Sequence, residues 1–377
     1  MKKTDDLCYN DDGGKVKSVY IHIPFCESIC SYCDFCKVLY HKSWIKKYLT
    51  CLQKEIPKRY KGELIKTLYI GGGTPSALDM EDLRTLLEIL CVFKKGDNLE
   101  FSFECNIENI TKEKLWLLKE YGVNRLSVGV QTIHESYLNF LNRHHTSDMV
   151  RSKIHEMKEI GFSNINIDLM YAFPKESVKE VLEDVDFFLS LDVPHVSTYS
   201  LIIEPHTILG IQKIHNIDSD TDAKMYEVIK ERLTEAGYIH YETSNFAKRG
   251  YESKHNLTYW NNEEYYGFGL GASGYIQNIR YENTRSLTNY QNGYYIAEQH
   301  ELSKREQEEN EMILGLRKMN GVSKSSFYKK YHEHIEDVFE IDELIKKGKL
   351  KENGDYLYIP NKYQYVANSI LIYFIGE

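Results

Sequence analysis

The chain has 377 residues, 42% of them hydrophobic and 27% charged, with a formal net charge of −9. That length suits about two to three domains with a sizeable core, and the acidic balance argues against a generic nucleic-acid binder. No stretch reaches the ~18 uninterrupted apolar residues of a membrane helix, and the start, Met1-Lys2-Lys3-Thr4-Asp5-Asp6, lacks the apolar segment of a secretory signal, so a cytoplasmic chain is expected.

From Ser18 onward, β-rich runs alternate with helical patterns. Strands are predicted at Ser18–Ile23, Lys66–Ile70, Asn98–Glu104, Asn124–Val130, Asn164–Leu169 and His195–Leu201, each rich in Val, Ile, Tyr or Phe. Helices are predicted between them, over 43–58, 80–93, 111–120, 148–160 and 176–190. Asp79, Thr111 and Ser147 stand where N-caps belong, and Leu83, Leu86, Leu87 and Leu90 mark a core face. Six βα units imply an α/β fold with a parallel sheet covered by helices, either open or curled into a partial barrel.

After residue 205 the alternation fades. A helix is predicted over 220–236, followed by an aromatic, Gly-rich stretch from Tyr259 to Tyr275. The pattern turns helical again from Glu308, with a strand-like Tyr356–Ile359 and a last helix near 361–374. The expected division is a tail over 1–17, a core over 18–205, an extension over 206–301 and a small α+β domain over 302–377. The last would have a winged-helix shape, but its near-balanced charges give no sign of DNA binding.

Eight cysteines need a reading other than disulfides. Cys8, Cys51, Cys91 and Cys105 are scattered, as small buried hydrophobes are. Cys26, Cys30, Cys33 and Cys36 crowd into one loop after the first strand, at the end of a βα sheet where active sites form. Thiolates suit iron–sulfur clusters, zinc or Cu(I). A structural zinc site usually draws on two separated pairs, whereas this compressed spacing fits a cubane held from one side, with zinc as the second reading.

Cys26-x3-Cys30-x2-Cys33 after a first strand resembles the signature of the radical S-adenosylmethionine (SAM) family. Gly71-Gly72-Gly73-Thr74-Pro75-Ser76 resembles its Gly-rich SAM-binding motif, and the segments Gly122 to Gln131 and Asn166 to Pro174 resemble later strands. A narrower resemblance, running from Ser18 to the C-terminus, is to the branch holding the oxygen-independent coproporphyrinogen III dehydrogenases and their heme-chaperone relatives. It implies a partial (β/α)6 barrel with a C-terminal accessory region. It also implies a [4Fe–4S] cluster on Cys26, Cys30 and Cys33. SAM would lie against Tyr20, Tyr32, Gly72, Gly73, Thr74, Glu104, Gln131, Arg143, Asp168 and Ser200. Singly, each of these has an ordinary structural reading; in this order around the cysteines they do not.

Three features lean toward the chaperone side. The dehydrogenases carry a further cysteine two residues after the third ligand, where this chain has Phe35. They also carry a longer N-terminal segment, whereas 25 residues precede Cys26 here. And His255-Asn256-Leu257-Thr258-Tyr259-Trp260 matches the HNxxYW motif associated with heme in the chaperones. Imidazole is a common axial ligand for heme iron, and in a helix His255 and Tyr259 share a face, with Asn256 and Trp260 beside them. The expected cofactors are therefore the cluster, SAM and heme, and the expected partners are client hemoproteins, respiratory membrane proteins being one candidate class. The alternative is radical decarboxylation of coproporphyrinogen III propionates; a zinc-dependent structural or RNA-interacting protein is a third, weaker reading.

Cys36 stands outside the signature and reads either as a bystander or as a competing ligand in an air-damaged cluster, and Ala172 replaces a Gly frequent in relatives. Gly269-Leu-Gly271-Ala-Ser-Gly274 fits GxGxxG, but without a preceding strand run it does not read as a dinucleotide site.

Overall fold

A computed structural model describes residues 16–376. Cys8 and all but the last two residues of the expected 1–17 tail lie outside that range. Six parallel strands occur in order: β1 (Ser18–Ile23), β2 (Leu64–Gly72), β3 (Lys94–Asn106), β4 (Arg125–Gln131), β5 (Asn164–Tyr171) and β6 (His195–Ser200). The main helices between them are α1 (Lys42–Arg59), α2 (Met80–Ile89), α3 (Lys112–Glu120), α4 (Ser147–Ile160) and α5 (Val178–Ser190), with a shorter helix over Glu135–Leu141 before α4. A further helix, α6 (Ser219–Glu235), comes after β6.

The alternation in these strands is the physical key to the fold. In β1, Val19, Ile21 and Ile23 join the apolar core under the helices, while Ser18, Tyr20 and His22 take the other face. In β3, Phe101, Phe103 and Cys105 are core, and Glu100, Ser102, Glu104 and Asn106 are not. Parallel sheets covered on both faces carry near-continuous apolar runs. A strict polar stripe on every strand instead lines the interior of a curled sheet, and Glu104 on β3 feels the charge of Asp168 on β5 across that concave face. This is the partial barrel of the two options.

The segment 206–301 adds strands to both edges of the same sheet. β7 (Ile239–Glu242) and β8 (Asn245–Ala247) extend it beyond β6; β9 (Tyr265–Phe268), β10 (Ser273–Ile276), β11 (Ile279–Asn283) and β12 (Ile296–Glu301) extend it beyond β1. The order is β12-β11-β10-β9-β1-β2-β3-β4-β5-β6-β8-β7. One apolar core runs from Val16 to Ile296. A second core spans Met312 to Phe374, around Met312, Phe327, Leu357 and Phe374, with a helix over Lys304–Gly315 and a three-stranded antiparallel sheet beside it.

Several expectations are corrected. The N-cap of α4 is Thr146, not Ser147: its side chain accepts from the Met149 N–H. The helix expected over 80–93 ends at Ile89, followed by a 3-10 turn. The last helix near 361–374 is broken into the turns Asn361–Tyr363 and Ile372–Phe374 around a short helix, Asn368–Leu371. Gln364 donates to the Ile359 carbonyl and Ser369 to that of Val366, and such local side-chain bonds compete with a continuous helix. Cys51 and Cys105 are buried as expected, but Cys91 is exposed.

Candidate functional site: the barrel mouth and its polar interior

The cysteine loop crosses the mouth where the strands end. It is pinned on several sides: Gly73 N donates to Ile23 O (2.8 Å), Thr74 N to Phe25 O (2.9 Å), and Leu209 N to Ser31 O (3.1 Å). Asn142 adds bonds to Ser28 Oγ (2.8 Å) and Ile29 O (3.0 Å). Cys26, Cys30 and Cys33 are near enough to feel one another's charge, and Thr74 Oγ1 donates to Cys26 Sγ at 3.5 Å. Burial pushes the Cys26 thiol up to about 11 and raises Cys33 as well. Thiols held in the protonated form this way ionise when a metal takes the charge. Among the described residues, no three His, Cys, Asp or Glu side chains converge on one ion. A cubane makes no such demand, because each thiolate holds a different iron. The donor set fits the cluster.

Cys36 faces elsewhere. Its thiol pairs with Arg285, and a Cβ placed on Gly271 would meet its Cβ at 2.6 Å. The GxGxxG segment thereby acquires a structural role. Contrary to expectation a strand, β9, does precede it; the next element is no helix but β10, paired antiparallel with β9. The turn also packs against the end of β1: a Cβ on Gly269 would lie 2.4 Å from His22 O.

Gly71–Gly73 form a cradle with no space for side chains. A Cβ at Gly71 would meet Glu104 Oε1 at 2.7 Å, one at Gly72 the His22 ring at 2.7 Å, and one at Gly73 Pro24 O at 2.6 Å and Cys26 Sγ at 2.9 Å. Gly72 also has φ +121°, a region that favours glycine. Its N–H donates to Glu104 Oε2 (2.9 Å), while Tyr69 OH donates to Oε1 (2.8 Å). Burial, with the Asp168 charge adding to it, lifts Glu104 to about 7.

The other expected SAM-site residues gather here too. Arg143 donates to Gly129 O (2.6 Å) and Asn106 Oδ1 (2.9 Å), lies 3.6 Å from Glu108 and hydrogen-bonds Cys30. Gln131 is buried at the end of β4 with φ +73°. Asp168 accepts from Asn166 Nδ2 at 2.8 Å, and burial raises its carboxyl. Tyr20 OH bonds His22 Nδ1 (3.0 Å), and Tyr32 feels the charges of Cys30, Arg143 and Asp168. Ser200 is the exception, a correction from strand parity. Ser197 bonds Asn166 on the lumen side, so Ser200 points the other way and donates to Asp222 of α6 (2.8 Å). Tyr199 takes the inward position, within reach of the Asp168 and Glu104 charges.

Tyr199 was missed by sequence reasoning, as were His22, Tyr69, Asn166, His195 and Arg125. Arg125 is fully buried, with its Nε unpartnered, and it lowers both carboxyls, Glu104 and Asp168. The signal for all of them was present: polar residues at every second position of six buried strands.

The HNxxYW segment forms helix α7 (Lys254–Trp260), with Ser253 as N-cap. It docks at the opposite end of the barrel from the cysteines. Glu100 accepts from the Lys254 and His255 N–H groups (2.9 and 3.0 Å), and Thr258 bonds Ser18 (2.9 Å). His255 is 1% exposed. Its Nδ1 bonds Thr67 Oγ1 and its Nε2 bonds Tyr259 OH, both at 2.8 Å. Burial and then the Arg125 charge hold it neutral, with the pKa lowered to about 3. Asn256 and Trp260 are half-buried. The structure thus brings His255 and Tyr259 together as expected, but inside the barrel floor rather than on an open face.

Known proteins place this arrangement. Residues 20–188 match the radical SAM superfamily and residues 302–362 the HemN C-terminal domain. The solved structure of the coproporphyrinogen III oxidase HemN from Escherichia coli superposes with a TM-score of 0.85 over 96% of this chain and 90% of that one, at 22% identity, which speaks for the fold alone. The curated heme chaperone HemW of Bacillus subtilis (strain 168) is 41% identical over 96% of this chain and 100% of its own length. That of Lactococcus lactis subsp. lactis is 40% identical, covering 96% and 98%, and that of Escherichia coli (strain K12) 32%, covering 96% and 98%. The chain belongs to the radical SAM superfamily and, within it, to the HemW family.

Proposed function

We propose that this chain is a heme chaperone of the cytoplasm, which binds heme and passes it to client hemoproteins, membrane-bound respiratory ones among them. The observation that carries the proposal is the full-length likeness to curated heme chaperones at up to 41% identity. Phe35, 67% exposed beside Cys33 where the dehydrogenases have a cysteine, supports it. No described helix is long and apolar enough to cross a membrane.

Cys26, Cys30 and Cys33 would hold a [4Fe–4S] cluster, which supplies one iron open to the amino and carboxylate groups of SAM. Around it the protein's own groups bind and orient. The Gly71–Gly73 turn, packed against Glu104, His22 and Cys26 where side chains would otherwise stand, holds Glu104 and the cysteine loop together. Glu104 and Asp168 offer acceptors to hydroxyls or an ammonium, and Arg143 offers a donor to a carboxylate. Asn256, Tyr259 and Trp260 supply the aromatic and polar surface for heme. Ligation by His255 requires that its hydrogen bond to Tyr259 open first.

One anaerobic experiment tests the reading. The cluster is reconstituted, hemin is titrated by absorbance, and coproporphyrinogen III with SAM and a reductant is assayed in parallel. Saturable hemin binding without porphyrin conversion supports the chaperone. Conversion to protoporphyrinogen without saturable hemin binding makes the protein a dehydrogenase.

A further inference from the structure

The histidine of the heme motif is tied to the opposite end of the barrel. Its imidazole stacks on the Tyr69 ring, with centroids 5.0 Å apart and planes at 25°. The Tyr20 ring lies alongside, 6.5 Å from His255 and 6.1 Å from Tyr69. Tyr69 OH donates to Glu104 Oε1 at 2.8 Å, and the other oxygen of that carboxylate takes the Gly72 N–H at 2.9 Å. Glu104 therefore has two donors. One is backbone in the glycine cradle and cannot move without it. The other is a phenol on a long side chain, held by whatever packs on its ring. Thr67 and Tyr259 fix the imidazole from both nitrogens, so the stacking partner is itself immobile.

We propose that His255 is a positioning residue for the SAM site: it sets the Tyr69 phenol and, through it, the Glu104 carboxylate that faces the ligand. The motif would then serve the SAM site as well as the heme. Offset stacking of two rings stabilises their relative placement beyond what burial of their area does. A carboxylate that loses one of two donors meets its ligand in a broader set of positions, and a binding site gains affinity from pre-organisation. The inference rests on the reading that SAM binds here.

The test uses the full chain with its cluster reconstituted. SAM affinity is measured by calorimetry and by the change SAM causes in the electron paramagnetic resonance of the reduced cluster; hemin affinity and iron content are measured on the same preparations. His255→Ala should weaken SAM binding by about tenfold, or ~1.4 kcal/mol, at unchanged iron content. His255→Phe, which keeps a ring against Tyr69 but has no nitrogen for iron, should restore SAM affinity to within about threefold of wild type. Tyr69→Phe, which keeps the packing and deletes only the hydroxyl, should match His255→Ala, and the double variant should lose less than the sum of the two. Wild-type SAM affinity in a folded His255→Ala protein overturns the inference. If that variant does not fold, unchanged SAM affinity in Tyr69→Phe overturns it instead. Failure of the wild-type protein to bind SAM overturns the SAM reading itself, a separate result.

Discussion

Glu100 on β3 receives the backbone N–H of His255 at 3.0 Å, across 155 positions of sequence. With the Lys254 N–H on its other oxygen, the carboxylate caps helix α7 from another element and fixes it to the barrel floor. A helix of seven residues is too short to persist by its own hydrogen bonds. Its position is a tertiary fact, and that position decides whether the HNxxYW segment is enclosed or open.

Glu100→Ala should therefore loosen α7 more than the rest of the chain. Two N–H groups at a helix start lose a charged acceptor, which costs about 1–3 kcal/mol. Hydrogen exchange over 254–260 should accelerate, while exchange in the β1–β6 strands stays slow. Uniform acceleration throughout would contradict the cap.

Glu104 gives a pH dependence with a defined sign. Its carboxyl is lifted from 4.5 to about 7 in the folded chain, so ionising it opposes folding. The stability tied to the protonated form is complete below 4.5 and is lost as pH rises through about 7. A cationic ligand favours the ionised form. SAM binding near neutral pH should therefore release protons and tighten as pH rises from about 6 to about 8. Calorimetry in two buffers of different ionisation enthalpy checks this; Glu104→Gln should remove the proton release.

The cysteine loop allows a sharp comparison. Cys26→Ala, Cys30→Ala and Cys33→Ala together should abolish iron incorporation, whereas Cys36→Ala should keep the iron, because that thiol sits against Arg285 and Gly271. Gly73→Ala should behave like the triple variant, since its Cβ would stand 2.9 Å from Cys26 Sγ. Iron and sulfide analysis after anaerobic reconstitution reads all three.

Glu108 is raised by burial, but the hydrogen bond from His145 and the Arg143 charge outweigh this and lower it to about 2. A depressed acid stabilises above its unfolded value and loses that contribution as pH falls from 4.5 toward 2. Glu108→Gln should cost about 1–3 kcal/mol at neutral pH and less at about pH 4, measured by denaturant unfolding. An equal cost at both pH values would show that the charge is not what matters.

Much of this is readable in the residues themselves. Cys26, Cys30 and Cys33 fall in one loop because their spacing is local, and the Gly71–Gly73 turn comes after a strand for the same reason. Predicted and observed strands β1 to β6 agree to within a few residues, since period-2 alternation of Val, Ile and Phe is a short-range signal. The helical pattern read from Glu308 onward falls in the observed helix over Lys304–Gly315, because a 3.6-residue period is also a local signal.

Other features depend on pairing between distant segments. Ser200 is expected in the site from the family resemblance, yet its strand parity, set by Ser197 and Asn166, turns it toward Asp222. The strands of 239–301 join the sheet edges, and nothing local says which edge a four-residue strand will find. His255 carries the same letters whether it faces solvent or a barrel floor.

The sequence by itself determined the alternating βα elements, the cysteine triad and the glycine turn, because propensity, spacing and periodicity act over a few residues. Only the tertiary structure decided that the polar stripes of six strands converge on one interior, that Arg125 lies among Glu104 and Asp168, and that the HNxxYW helix closes the end opposite the cysteines. Those outcomes come from sheet curvature and strand order, which are fixed by burying apolar faces across the whole chain at once.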